Sequence, residues 1–208
     1  MNNDINDNPI KKLSIDWEKH YKATEMKELH WYSDSTDPEV LEAIKRYCPT
    51  SGKVLDLGTG PGTMAIEFTK LGYRATATDI SISAIAMAKE RAGERADKID
   101  FIVDEIRETT ISDKYDIIHD RGCFHCLDKS GIEKYILNVP RLLVDNGILL
   151  IKTFSQSESR EDGPNKYSYE MIKEIFSGLF DFLHCEETIY PSTLKVDPKA
   201  IFCVMRKI

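Results

Sequence analysis

Residues 53–62, with the sequence KVLDLGTGPG, combine an apolar run with an acid and three closely spaced glycines. The apolar run is typical of a buried parallel strand. Asp56 lies within this run, and Gly58, Gly60 and Gly62 follow the run at alternate positions. A glycine-rich turn between a strand and a helix lets the backbone approach a ligand closely, because no Cβ stands in the way. We therefore expect a ligand with a nucleoside part on this turn.

Further acids follow the next predicted strands and narrow the choice of ligand. Asp79 lies 21 residues after Gly58, a distance at which a carboxylate can accept hydrogen bonds from ribose hydroxyls. This spacing fits both a nicotinamide dinucleotide and S-adenosylmethionine. A dinucleotide site, however, requires the pattern G-x-G-x-x-G, and here the third glycine comes one residue too early. A carboxylate at Asp56 suits the cationic amino group of a methionine moiety better than a pyrophosphate.

Alternating strand and helix patterns place these acids at one edge of a sheet. The predicted fold is a doubly wound α/β domain with a mostly parallel seven-stranded sheet, an antiparallel last strand and helices on both faces. The last two strands lack a helix between them and are expected to pair antiparallel. In such a sheet the ligand lies at the carboxyl ends of the strands, beside the first strand. The predicted strands cover residues 54–57, 73–78, 99–103, 115–119, 148–154, 180–189 and 200–205.

The run VLDLGTGPG and the strand-end acids Asp79 and Asp104 together resemble the seven-stranded, Rossmann-like class I S-adenosylmethionine-dependent methyltransferases of small-molecule type. The resemblance covers roughly residues 38–208, and the family pattern D-x-G-x-G-x-G is matched at every position. It implies S-adenosyl-L-methionine as cofactor and S-adenosyl-L-homocysteine as product. The cofactor-binding residues that it implies are Asp56, Gly58, Thr59, Gly60, Gly62, Asp79, Ile80, Asp104, Glu105 and Asp120.

Within that resemblance each group of residues has an implied role. The glycine loop and Asp56 would border the methionine end of the cofactor, and Asp79 would hold the ribose hydroxyls. Ile80 would lie against the adenine, and Asp104 would accept from its exocyclic amine, with Glu105 nearby. Asp120, after the fourth strand, would lie near the transferable methyl group.

The acceptor is expected to face the segment DRGCFHCL, residues 120–127, and the aromatic residues 15–32, which we call the cap segment. Methyl transfer mainly requires alignment and exclusion of water, and a general base is needed only for an acceptor that is protonated at working pH. The predicted catalytic residues are Asp120 and His125, the latter as a base. The predicted acceptor-binding residues are Trp17, Tyr21, Trp31, Tyr32, Arg121, Cys123 and Phe124.

Several alternatives remain open for these segments. The cap segment either walls a ligand pocket or only packs its rings on the domain, and both can hold. Residues 155–167 form either a mobile flap or an ordinary solvated loop. Cys123 and Cys126 line the pocket or serve structure; no metal site is predicted, because a fourth ligand is not evident. Arg121 pairs with Asp120 or with an anionic acceptor.

The class of acceptor is narrowed by a motif that this chain lacks. Methyltransferases that act on amines of nucleic-acid bases typically show Asn- or Asp-Pro-Pro-aromatic after the fourth strand, whereas this chain has Asp120-Arg121-Gly122-Cys123. The closest resemblance is to thiopurine and tellurite-resistance type enzymes, which act on soft sulfur or chalcogen acceptors. The leading hypothesis is methyl transfer to a small molecule by in-line displacement. Its rivals are a nicotinamide-dependent oxidoreductase, a non-catalytic cofactor-binding regulatory protein and a protein acceptor.

Composition sets the expectations for the whole chain. The 208 residues predict one main domain, residues 38–208, after an N-terminal tail and aromatic cap, residues 1–37, of which the first 14 or so are expected to fray. A net charge of −7 disfavours nucleic-acid partners, and no apolar run reaches the roughly 18 residues of a membrane span. The N-terminus lacks an apolar signal core, and five scattered cysteines fit reduced thiols, which predicts a cytoplasmic protein. The oligomeric state stays open.

Overall fold

The computed structural model describes residues 10, 11, 13 and 15–208. Its strands form a single mixed sheet. They are β1 (Lys53–Leu57), β2 (Arg74–Asp79), β3 (Ile99–Val103), β4 (Tyr115–Arg121), β5 (Leu143–Ser155), β6 (Lys166–Tyr167), β7 (Phe180–Ile189) and β8 (Lys199–Lys207). Their order is β3-β2-β1-β4-β5-β8-β7, with the two-residue β6 pairing with β5 away from this path.

Six α-helices connect and cover these strands. They are α1 (Trp17–Ala23), α2 (Pro38–Tyr47), α3 (Thr63–Lys70), α4 (Ile82–Ala92), α5 (Lys129–Leu142) and α6 (Tyr169–Ile175). Short 3₁₀ turns cover Met26–Glu28, Gly93–Lys98 and Phe124–Cys126. None of the helices in the described part of the chain is long and apolar enough to cross a membrane.

The sheet confirms the predicted fold class. All strand pairs are parallel except those of β8, which runs antiparallel to both β5 and β7. One detail differs from the prediction, because β6 adds an eighth, very short strand. The last two strands pair antiparallel at one edge as predicted, with β8 inside the sheet and β7 at the edge. The interior position of β8 follows from its composition, because Ala200 to Met205 are all buried.

The core lies on both faces of the sheet, and β5 contributes to each. Leu149 and Ile151 pack into the cluster beneath α5 and α6, whereas Ile148 and Leu150 pack into the cluster with α2 and α3. A strand that is buried on both faces needs a continuous apolar run, which explains the sequence ILLI. Lys152, the next residue, is also fully buried.

Three predictions outside the sheet have different outcomes. The fraying predicted for residues 1–14 falls mostly outside the described residues, and the domain division at residue 37 stays a prediction. The expectation of reduced, scattered cysteines is corrected at one pair: Cys185 and Cys203 face each other across β7 and β8 and form a disulfide. Cys48, Cys123 and Cys126 are free thiols.

Candidate cofactor and acceptor site

The glycine loop leaves the carboxyl end of β1, which has β2 on one side and β4 on the other. Chain connections diverge at this point, and a crevice for ligands opens there in sheets of this type. Gly58, Gly60 and Gly62 all have positive φ angles, of +62°, +50° and +79°. Other residues adopt this backbone region only with strain, so the sequence needs glycine here.

Asp56 supports the loop from inside. Its Oδ2 accepts hydrogen bonds from the Thr59 hydroxyl (2.6 Å) and the Ala65 N–H (3.1 Å), and its Oδ1 lies 2.7 Å from His119 Nδ1. The side chain is almost completely buried. These contacts show that Asp56 and Thr59 shape the loop. The predicted contact of Asp56 with the amino group of the cofactor stays a prediction.

Asp79, at the end of β2, connects the glycine loop to the start of α4. Its Oδ2 accepts from the Gly60 N–H (3.0 Å) and its Oδ1 from the Ser81 N–H (2.9 Å). Burial raises the pKa of Asp79. A carboxylate has about four acceptor positions, so each oxygen can still accept another donor. The geometry therefore suits the predicted contact with a pair of ribose hydroxyls.

Asp104, directly after β3, has a side-chain oxygen that accepts no hydrogen bond from the described residues. Its Oδ2 is buried and has no hydrogen-bond partner among the described residues. Such an atom needs an explanation, and a ligand N–H such as the exocyclic amine of adenine provides one. Glu105 is less suited to this contact, because it forms an ion pair with Arg107. Ile80 is 46% exposed beside these acids and offers an apolar surface for a base.

The cap segment lies directly over the glycine loop. A Cβ added to Gly60 would lie 2.8 Å from the hydroxyl oxygen of Tyr21 and 4.0 Å from Trp31 Nε1. Trp31 Nε1 donates to the Tyr21 hydroxyl (3.3 Å), and Trp17 packs edge-on against Trp31 with ring centroids 5.6 Å apart. Burial raises the pKa of Tyr21, which keeps its hydroxyl protonated. Three of the predicted acceptor-binding residues thus gather at the methionine end of the cofactor site.

Asp120 organises the loop after β4 instead of facing the methyl group. Its Oδ1 accepts from the backbone N–H groups of Gly122 and Cys123, and Phe124 N–H donates to both oxygens. Oδ2 also accepts from the Tyr135 hydroxyl (2.8 Å). The side chain is completely buried, and burial raises its pKa to about 6. The geometry therefore corrects the predicted direct roles of Asp120 in catalysis and cofactor contact, because loop donors surround its carboxylate.

The ring of His125 accepts a hydrogen bond in this structure. Its Nδ1 accepts from the Phe154 N–H (3.1 Å), which places the proton of the neutral ring on Nε2. Burial, with a smaller contribution from the Arg121 guanidinium, lowers the pKa of His125 to about 3. The predicted role of His125 as a base is corrected accordingly, because its one basic lone pair is already used. Nε2 lies near Gly122, 3.2 Å from the position of an added Cβ.

The other predicted acceptor residues are divided between the site and the core. Phe124 is fully buried against Tyr135, Tyr167 and Phe176 and does not reach the acceptor. Tyr32 hydrogen-bonds to Asp34 and stacks with Arg91, away from the loop after β4. Cys123 does lie at the site, with its Cβ 3.1 Å from the position of an added Cβ on Gly58. Phe124 therefore belongs to the core, and the placement of Tyr32 in the acceptor site stays a prediction.

Arg121 forms an ion pair with Asp37. Its partner is therefore neither Asp120 nor an anionic acceptor, the two partners considered from the sequence. Its guanidinium binds Asp37 (2.8 Å from Nε) and donates to the carbonyls of Trp31 and Pro191. Asp37 occupies the N-cap position of α2, but its side chain makes no capping bond. The reason is the competing pull of two cations, since Lys152 Nζ also lies 2.5 Å from Asp37 Oδ2.

Sequence reasoning missed three residues that support this site. Lys152 bridges Asp37 and Glu39 (2.6 Å) and lies over the ring of Tyr190, 5.1 Å from its centroid. A lysine inside the apolar run ILLIKTF was the available signal. Glu18 bonds to the start of α4, and only its position in the cap segment hinted at this contact. Nothing near Tyr190 in the sequence indicated that its ring would pack against Phe154 and His125.

Residues 155–167 are attached to the acceptor side at their C-terminal end. Asn165 N–H donates to the His125 carbonyl (3.0 Å), and its side-chain amide donates to the Leu127 carbonyl (2.9 Å). At the other end, the Ser155 hydroxyl donates to Glu187 (2.8 Å). The choice between a flap and a fixed loop therefore concerns only the middle of the segment, and it stays open. No group of side chains that could hold a metal occurs among the described residues.

Comparison with known proteins gives the class of this site. Residues 54–147 match the family model described as a methyltransferase domain. The chain is 28% identical over 107 residues to a ubiquinone biosynthesis O-methyltransferase of Rickettsia akari, covering 51% of this chain and 41% of that protein. It is 28% identical over 151 residues to a 2-heptyl-1-hydroxyquinolin-4(1H)-one methyltransferase of Mycobacteroides abscessus (71% and 66%). The human EEF1A lysine methyltransferase 2 is 27% identical over 165 residues (73% and 69%). The chain thus spans less than two thirds of the length of the first two relatives.

Solved structures share the fold over most of the chain. A structure reported for the conversion of a disulfide bond into a thioacetal group during echinomycin biosynthesis superimposes with a TM-score of 0.77 at 20% identity, covering 92% of this chain and 91% of that one. The N-methyltransferase NodS from Bradyrhizobium japonicum, in complex with S-adenosyl-L-homocysteine, gives 0.74 at 15% identity (91% and 97%). TehB from Haemophilus influenzae gives 0.70 at 22% identity (85% and 64%).

The chain has the fold of class I S-adenosylmethionine-dependent methyltransferases, and residues 54–147 match a methyltransferase domain. The cofactor of such domains is S-adenosyl-L-methionine. The unpaired Oδ2 of Asp104 and the two partly free oxygens of Asp79 fit the adenosine part of that molecule. The alternative of a nicotinamide-dependent oxidoreductase is set aside, since the family match and the G-x-G-x-G spacing both oppose it.

Proposed function

We propose that this protein transfers a methyl group from S-adenosyl-L-methionine to a small-molecule acceptor by in-line displacement. The observation that carries the proposal is the set of carboxylate oxygens at the carboxyl ends of β2 and β3 that can accept hydrogen bonds from a ligand. Asp79 and Asp104 leave acceptor positions open there, next to the glycine loop with its three positive φ angles. When bound, the cofactor supplies an electrophilic methyl group on a sulfonium that leaves readily.

In this proposal the protein aligns the acceptor and provides no base. Among the described residues of the loop after β4, every candidate base is already engaged: loop donors surround Asp120, and His125 Nδ1 accepts from a backbone N–H. Burial raises the pKa of Cys126 to about 12 and raises that of Cys123 well above its ordinary value, so both thiols keep their protons. The acceptor atom therefore arrives with its lone pair available, and no proton moves to the enzyme.

This requirement favours an acceptor with a low pKa or no proton on the reacting atom. A thiol with a pKa near 8 is about one tenth thiolate at pH 7, whereas an alkyl amine or a phenol keeps its proton almost completely. The rings of His125, Phe154 and Tyr190 pack together with centroids 5.1 to 5.8 Å apart at the carboxyl ends of β4 and β5. Sulfur interacts favourably with aromatic rings. The resemblance to thiopurine and tellurite-resistance type enzymes is consistent with this proposal.

Two of the three relatives support a small acceptor, since their names refer to a ubiquinone precursor pathway and to a quinolone. The human relative acts on a lysine of a protein, as its name states, so a protein acceptor is an outcome that the test must include. We also propose a cytosolic location and no nucleic-acid partner, on the basis of the net charge of −7 and three free thiols.

The test is an acceptor screen that detects release of S-adenosyl-L-homocysteine. The panel contains heteroaryl thiols, alkyl amines, phenols, chalcogen oxyanions and a mixture of lysine peptides, and each is run with wild type and Asp79→Ala. We expect turnover with thiols or chalcogen anions in wild type and a loss of it in Asp79→Ala. Turnover confined to lysine peptides would replace the small-molecule acceptor with a protein. Cofactor binding without turnover on any acceptor would favour a non-catalytic regulatory role.

A further inference from the structure

Glu18, on the first turn of α1, attaches the cap segment to the start of α4. Its Oε2 accepts from the Ser81 hydroxyl (2.7 Å) and the Ser83 N–H (3.0 Å), and its Oε1 accepts from the Ser83 hydroxyl (2.8 Å). These hydrogen bonds lower the pKa of Glu18 to about 2. The carboxylate therefore stays ionised at every pH at which the protein is expected to work, and hydrogen bonds to a charged acceptor are the stronger ones.

Ser81 also connects Glu18 to the glycine loop. Ser81 N–H donates to Asp79 Oδ1, and Asp79 Oδ2 accepts from the Gly60 N–H. Tyr21, one turn after Glu18 on α1, places its hydroxyl over Gly60. These contacts thus form a closed circuit, a ring of elements that runs from α1 through α4 and β2 to the glycine loop and returns to α1. The proposed cofactor site lies inside this ring, with Asp79 on its wall.

We propose that Glu18 is a positioning residue that holds the cap segment closed over the cofactor, so that cofactor and product exchange only when its contacts with Ser81 and Ser83 open. This inference rests on the proposed function and concerns how the site is closed. Tyr21 and Trp31 cover the glycine loop only while α1 is docked, and Glu18 makes three of the side-chain hydrogen bonds that dock it. A buried Leu29 and Ala84 complete the apolar contact between the cap segment and α4.

The protein contains its own reporter of this motion. Its two tryptophans, Trp17 and Trp31, both lie in the cap segment and contact each other. Binding of S-adenosyl-L-homocysteine is therefore measured by stopped-flow tryptophan fluorescence over a range of ligand concentrations, which gives association and dissociation rates. The variants are Glu18→Ala and Ser83→Ala, and the control is Glu28→Gln, which changes an exposed acid of the same segment.

Loss of the charge-assisted contacts in Glu18→Ala is expected to raise the dissociation rate about tenfold, an order of magnitude for hydrogen bonds to a charged group. Ser83→Ala keeps its backbone N–H contact and is expected to lie between Glu18→Ala and wild type; Glu28→Gln is expected to match wild type. The maximal turnover rate with saturating cofactor is expected to stay within about twofold, or to rise if product release limits it. A purely structural role would change the melting temperature and leave these rates alone.

Wild-type dissociation rates in both Glu18→Ala and Ser83→Ala, with normal binding, would overturn this inference while leaving the proposed function intact. Failure of the wild-type protein to bind S-adenosyl-L-homocysteine would overturn the cofactor assignment and this inference together. If Glu18→Ala does not fold, Ser83→Ala decides alone, because it removes one hydroxyl from a half-buried position.

Discussion

Three acids lie at the carboxyl ends of three neighbouring strands, and their surroundings give each a different capacity for a ligand. Asp56 has two protein donors on one oxygen and one contact on the other, Asp79 has one protein donor on each oxygen, and Asp104 has a buried oxygen without a partner among the described residues. The capacity to accept from a ligand therefore rises from β1 to β3. A sequence motif with an acidic residue does not show which carboxylate oxygens can still accept a hydrogen bond from a ligand. Here Asp56, the acidic residue of the glycine motif, has the least remaining capacity.

The ionisation of Asp120 is expected to give kcat/KM a pH dependence that arises from this one residue. Its carboxylate arranges the loop after β4 by accepting from three backbone N–H groups, and its pKa is raised to about 6. Protonation between pH 7 and 5 removes part of this acceptor capacity, so kcat/KM is expected to fall with a single ionisation near pH 6. The profile is measured with an acceptor whose own pKa lies outside this range.

Stability is expected to behave differently from activity over the same range. The folded chain takes up this proton at a higher pH than the unfolded chain, so acidification through pH 6 adds stability from this group. Asp120→Asn, which cannot titrate, is expected to have low activity without the step near pH 6. A step that persists in Asp120→Asn would assign the ionisation to another group. His125 is not that group, since its pKa of about 3 lies below the range.

At the scale of elements, the glycine loop and α1 form one unit. Gly60 has φ +50° and lies beneath the Tyr21 hydroxyl, whereas Gly93 has a similar φ of +52° and nothing within 4 Å of an added Cβ. Gly60→Ala and Gly93→Ala are each expected to lose about 1–2 kcal/mol from backbone strain. Only Gly60→Ala also displaces the cap, so only it is expected to weaken cofactor binding, by more than about tenfold.

The pair is compared by thermal unfolding and by cofactor titration. Similar losses of melting temperature together with unequal losses of affinity would support the coupling between loop and cap. Equal affinities in Gly60→Ala and Gly93→Ala would contradict the placement of Tyr21 over the loop. Gly93 is the control because its φ angle is also positive and an added Cβ there would meet no atom within 4 Å.

Elements with a local signal were predictable, and contacts between distant segments were not. The strand Ile99–Val103 and the strand Phe180–Ile189 were predicted at their observed bounds, because apolar runs and turn residues lie within each segment. The roles of Asp120 and His125 depended on partners that fold back from their own loop or from β5. Position after the fourth strand was informative, but the direction in which each side chain points was not.

At the scale of the whole molecule, a buried charge cluster joins the first and last parts of the chain. Lys152 on β5 binds Asp37 and Glu39 at the start of α2, and Thr188 on β7 donates to Glu39 (2.9 Å). Arg121 extends the cluster from Asp37 to the Trp31 carbonyl of the cap segment. The positions of the cap and of the acceptor loop therefore depend on a few buried charges as well as on apolar packing.

Lys152→Met is expected to destabilise the fold by about 3 kcal/mol, because removing one partner leaves buried carboxylates insufficiently paired. For a chain of this length the melting temperature is then expected to fall by about 10 °C. Lys53→Met is the control: its pair with Asp113 is largely exposed and contributes less than about 1 kcal/mol. Equal losses in the two variants, measured by thermal unfolding, would show that the cluster does not stabilise the fold.

The most direct test of the central claim is calorimetric titration of the protein with S-adenosyl-L-methionine. Wild type is expected to bind with a dissociation constant between about 1 μM and 1 mM, the range usual for enzyme ligands. Asp79→Ala is expected to bind about 10- to 100-fold more weakly through the loss of hydrogen bonds to a charged acceptor. Asp100→Ala, at an exposed acid on β3, is expected to match wild type. No binding at millimolar ligand, or equal affinity in wild type and Asp79→Ala, would contradict the account.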